Sequence, residues 1–176
     1  MQLPALQQWR DFYVMIGTAS GAIVGATFVV ATLAGGIEKR TIGLKGFITP
    51  TTVHLSSVLV GSAILTAPTL SALVLALLLG VGALAGAVYG IVIWMRITTL
   101  KIDLIDRFWY GILPVIAYLL LGASAWLVFA AVEHALELVA LALVLLLVAG
   151  IRNAWDMATF MIMGGPAAAD ADKDVK

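Results

Sequence analysis

Apolar residues run through this chain almost without a break, and charge interrupts them at only a few regular places. Of 176 residues, 62% are hydrophobic and 11% charged. A water-soluble domain carries about 45–50% apolar and about 25% charged residues. A fold of this size cannot hide so much apolar surface from water, so the solvent it is built for is a lipid bilayer.

A hydrocarbon core of about 30 Å needs about 20 helical residues at about 1.5 Å each. Five stretches qualify: 12–33, 48–67, 69–95, 109–132 and 135–160. The expected fold is therefore all-α, a polytopic transmembrane helix bundle of five spans forming one domain over 1–163. Thr49 reads as an N-cap with Pro50 at the first helical position. The second and third spans meet at Ala67, Pro68 and Thr69, and Glu133 and His134 separate the fourth and fifth, so each pair should form an antiparallel hairpin. The stretch from Arg96 to Arg107 has apolar residues on one arc and polar ones on the other. It should lie along the interface or extend the third span. Residues 164–176 are small, polar and Pro-containing, and read as a disordered tail.

Charge sets the orientation. With five spans, Lys39, Arg40, Lys45, Arg96, Lys101, Arg107, Arg152, Lys173 and Lys176 fall on one side and Arg10 alone on the other. Positive residues mark the cytoplasmic face, so the N-terminus should lie outside and the C-terminus inside. Trp9, Trp94, Trp109, Trp126 and Trp155 all fall near span ends, as an aromatic belt requires. The N-terminus lacks the basic start of a cleavable leader, and the apolar run after it is too long for one.

Two spans carry stripes of small residues: Gly17, Gly21 and Gly25 in the first, Gly82, Gly86 and Gly90 in the third. Each trio stays on one helix face, and close backbone approach is what such stripes permit in lipid. Packing within one subunit and self-association between subunits both use them. The expected partners are the bilayer itself and either further copies of this chain or a larger membrane complex.

The second span is different. It holds Thr49, Thr51, Thr52, His54, Ser56, Ser57, Gly61, Ser62 and Thr66 and no charge. Only Val53, Val60 and Ile64 share an uninterrupted apolar arc, so this helix should sit centrally. Hydroxyls can return to a carbonyl one turn back, which lets a packed core helix tolerate them. The sharper reading is a polar pathway along Thr51, His54, Ser57 and Gly61. An imidazole in lipid needs a partner, and one neighbouring hydroxyl would satisfy it.

In the fifth span Arg152 and Asp156 are four apart and should pair, with Asn153 beside them. Arg152 could equally snorkel to headgroups. The sequence places His54, Arg152, Asn153 and Asp156 at one depth, and suggests an inner polar cluster. Glu133, His134 and Glu137 read as a solvated rim at the other end.

Several functions are excluded or unsupported. Zero net charge argues against nucleic acid as a partner, since phosphate binding needs a basic face. No cysteine is present, so there is no disulfide, thiolate metal site or cysteine nucleophile. His54 and His134 are expected at opposite surfaces and cannot share a haem. No phosphate loop, zinc-protease or serine-hydrolase motif occurs. No cofactor or metal is expected. A channel- or transport-like protein is the leading expectation. An accessory subunit is the alternative, and an enzyme acting on a lipid-soluble substrate through His54 and Asp156 ranks last.

Three stretches, 12–33 (FYVMIGTASGAIVGATFVVATL), 39–59 (KRTIGLKGFITPTTVHLSSVL) and 150–160 (GIRNAWDMATF), resemble a family of uncharacterised small bacterial multi-spanning inner-membrane proteins. The resemblance implies a multi-pass protein of the bacterial inner (plasma) membrane, and brings no activity or catalytic residue with it.

Overall fold

The structure is a computed structural model. It describes the backbone of residues 4–34, 41–98 and 104–162, and the side chains of 6–32, 49–96 and 104–159. The tail 164–176, Lys39, Arg40, Lys101, Lys173, Lys176 and the side chain of Lys45 lie outside the described residues. Among the described residues all regular structure is helical.

A short α1 (Pro4–Gln8) leads into α2 (Arg10–Ala34), followed by α3 (Thr41–Leu65) and α4 (Ala72–Thr98). One turn of helix, α5 (Leu104–Arg107), passes through a π-helical turn at Phe108–Ile112 into α6 (Leu113–Phe129). The last described element is α7 (Ala135–Ile162). Among the described residues four stretches are long and apolar enough to cross a membrane: Arg10–Thr32, Ala72–Arg96, Leu104–Phe129 and Ala135–Thr159. Thr49–Leu65 is apolar but shorter.

The expected boundaries shift where local chemistry is stronger than hydropathy. Pro50 lies inside α3, not at its start, and Thr49 is not an N-cap, because the helix begins at Thr41. Proline removes one N–H, a loss that helices in lipid absorb. The turn after α3 is longer than three residues, and α4 starts at Ala72 rather than Thr69. Ser71 sets that start: its Oγ accepts the Val74 N–H at 3.3 Å, an N-cap bond. The fourth apolar run is also longer than 109–132 at its front end. It begins at Leu104 and continues through the widened turn, where the Leu113 N–H reaches back to the Phe108 carbonyl. Pro114 follows at once and has no N–H for the Tyr110 carbonyl, so the ladder opens there.

After α6 the chain turns through Ala131, whose φ is 54°. The Ala131 N–H bonds the Val128 carbonyl at 3.2 Å and the Val132 N–H bonds the Leu127 carbonyl at 3.0 Å. That pair of bonds is a Schellman ending, with alanine where glycine is usual.

Packing departs from the expected hairpins in one place. α6 and α7 pack along each other, as their short link requires. α3 and α4 do not. α3 packs chiefly on α2 and α7, and α4 on α6. The glycines decide this. A Cβ on Gly17 would stand 2.8 Å from the Ser62 Cβ, and one on Gly150 would meet Leu55, which draws α2 and α7 onto α3. A Cβ on Gly86 would fall on the Tyr118 ring, and one on Gly90 on Val115, which draws α6 onto α4. Among the described residues neither expected stripe is a continuous seam, since Gly25 and Gly82 face none of them within 4 Å. Tyr13 ties α2 to the start of α7, donating to the Leu136 carbonyl at 2.9 Å.

Candidate functional site

α3 carries part of its polar side chains inward and part toward a cleft. Thr51, His54 and Ser62 are buried, and Ser20 of α2 donates to the Leu55 carbonyl at 2.6 Å. The central feature is a chain of three side chains from two helices. Ser57 Oγ lies 2.9 Å from the Tyr118 hydroxyl, which lies 3.1 Å from His54 Nδ1. Ser57 Oγ also reaches the Val53 carbonyl one turn back at 2.9 Å. The imidazole is fully buried, tilted against Tyr118 and edge-on to Tyr89 with centroids 6.2 Å apart.

This chain has two hydrogen-bond polarities. If Ser57 donates to Val53, Tyr118 donates to Ser57 and His54 donates from Nδ1. If Ser57 donates to Tyr118, Tyr118 donates to Nδ1 and the imidazole carries its proton on Nε2. Nε2 itself is buried with no hydrogen-bond partner among the described residues.

Beside this chain, where α3 and α4 stand apart, is a cleft of about 480 Å³. Thr52, Ser56, Ser57 and Gly61 line its α3 wall, Gly82, Gly86 and Tyr89 its α4 wall, and Tyr118 and Leu121 its back. It is partly open, and none of the described residues lining it is charged.

The residues singled out by sequence divide into three groups. Ser57 and Gly61 line the cleft. Thr51 and His54 are buried behind its wall, with His54 reaching it only through Tyr118 and Ser57. Arg152 and Asp156 form an ion pair, and the Tyr110 hydroxyl donates to Asp156 Oδ2 at 3.2 Å. No hydrogen bond or ion pair among the described residues joins His54 to Arg152, Asn153 or Asp156, so the four do not form one bonded cluster. Asn153 is fully buried, and neither its amide nitrogen nor its oxygen has a hydrogen-bond partner among the described residues.

Sequence reasoning missed Tyr118, Tyr89 and Tyr110. A tyrosine inside an apolar span is the available signal, because its buried hydroxyl must find a partner. Among the described residues no group of three or more His, Asp or Glu side chains is placed to hold a metal ion.

No family model, curated protein or solved structure matches this chain.

Proposed function

We propose that this chain is a transport-like integral membrane protein of the bacterial plasma membrane, and that its pathway is the cleft between α3 and α4. The observation that carries the reading is the cleft itself. Two helices joined by a short turn stand apart over an opening whose α3 wall bears Thr52, Ser56 and Ser57. Helices joined so closely ordinarily pack together. An opening on the flank of the bundle admits its cargo sideways from lipid, not end-on from water.

Five spans with the N-terminus outside complete the proposal. α3 is 25 residues long and antiparallel to both α2 and α7, with Gly17 opposite Ser62 and Gly150 opposite Leu55. It therefore shares the depth of two helices long enough to cross. Counting it as a span leaves nine of the ten Lys and Arg residues on one side.

The test is transbilayer movement of an NBD-labelled long-chain tracer in liposomes, read by dithionite bleaching of the outer leaflet. The protein should accelerate the slow phase, and Gly82→Leu should abolish the gain, because a side chain there enters the cleft without a clash. A slow phase equal to that of protein-free liposomes overturns the proposal.

A further inference from the structure

We infer that the cleft binds an uncharged amphiphile, a single long hydrocarbon or prenyl chain ending in a hydroxyl-bearing head. This rests on reading the cleft as the functional pathway, and adds the chemistry of what enters it.

The cleft is polarised along its length. Thr52, Ser56, Ser57, Tyr89 and Tyr118 gather at one end. Val60, Ile64, Leu78, Leu79 and Leu121 close the other. From Thr52 to Ile64 the α3 wall rises about 18 Å, long enough for an extended chain. A volume of about 480 Å³ falls in the range of single small-molecule sites, about 300–1,000 Å³, toward its smaller end. One chain suits it better than the paired chains of a phospholipid.

The head must be neutral. A phosphate, carboxylate or ammonium group would lose its water here without gaining an ion-pair partner on the walls, since no described residue that lines them is charged and Arg96 acts on Tyr89 only from beyond the lining.

The head must also donate. Ser57 has one proton and two lone pairs. Its proton goes to Val53 or to Tyr118 in either polarity of the chain, and at most one lone pair is taken by Tyr118. An acceptor site on Ser57 is left in both cases, and a hydroxyl fills it. Thr52 and Ser56 add hydroxyls on the same wall for the oxygens of that head.

Binding of radiolabelled 1-monooleoylglycerol to the full chain in phosphatidylcholine nanodiscs tests this. Saturable binding is expected, displaced by unlabelled 1-monooleoylglycerol but not by phosphatidylglycerol or by oleate at pH 9. Gly82→Leu should remove it. Ser57→Ala should weaken it about tenfold, the size of one hydrogen bond. Thr52→Val gives a second readout in the polar end should Ser57→Ala unfold. Equal displacement by the anionic lipids, or unchanged affinity in both hydroxyl variants, overturns the inference. Anionic binding that Gly82→Leu abolishes overturns the head chemistry and keeps the cleft as the pathway. Binding as expected without tracer movement overturns transport and upholds the ligand class. Failure of every probe to show Gly82-sensitive binding overturns both.

Discussion

The Tyr118 ring occupies the space that a side chain at Gly86 would need, so α4 and α6 meet only because residue 86 has no Cβ. The same contact aims the phenol at Ser57 and His54, so one missing methyl group places the hydrogen-bond chain. Gly86→Ala should therefore lower stability by about 1–3 kcal/mol, the usual cost of overpacking. Gly82→Ala, four residues away and facing open space, should hold stability or raise it by up to about 1 kcal/mol. Thermal unfolding of both variants under identical detergent conditions decides the matter. Equal melting temperatures would remove the argument.

Tyr118→Phe keeps the ring and deletes the shared hydroxyl. His54 Nδ1 then loses its partner in a buried position, at a cost of about 1–3 kcal/mol. With ¹⁵N-labelled histidine, the ring nitrogen shifts of His54 should move. Asp156→Asn should leave those shifts alone, because no bond connects the two residues. A larger response to Asp156→Asn than to Tyr118→Phe would restore the single inner cluster that the sequence suggests.

Asn153→Leu should hold or raise stability, by up to about 1 kcal/mol, since a buried amide with no partner costs more than an apolar group of similar size. Chemical unfolding in mixed micelles checks it. A loss of several kcal/mol would mean that the amide has a partner of its own in the membrane.

Ala131→Gly should stabilise. At φ 54° an alanine bears a steric cost that glycine avoids, and the gain should be about 1 kcal/mol, or about 2–4 °C in melting temperature for a chain this long. A lower melting temperature would show that the Ala131 methyl group is worth more than the relief.

How much of this was legible in the residues follows from what kind of signal each feature leaves. Apolar length is a local property, so the stretches that became α2, α4, α6 and α7 could be read directly. Boundaries depend on single bonds. Pro50 reads as a helix start and sits mid-helix, while Ser71, the real cap of α4, lies beyond the proline that reads as the turn. The candidate site is the least local of all. Ser57 and Tyr118 are 61 residues apart, and nothing in either neighbourhood announces the other. The open cleft inverted a reasonable rule: a tight link implies a packed pair, yet close glycine contacts hold α3 to α2 and α7, and α4 to α6.

The widened turn at Phe108–Ile112 holds one residue more than an α-helix would use to cover the same height. Every side chain before it is consequently swung about 100° around the axis relative to an unbroken ladder. Tyr110 lies inside that turn and meets Asp156 across the bundle. Deleting a single residue there would leave the hydropathy profile nearly untouched while rotating Leu104, Ile105 and Arg107 to new compass bearings. In this protein the count of residues, as much as their oiliness, steers what α7 encounters at that end.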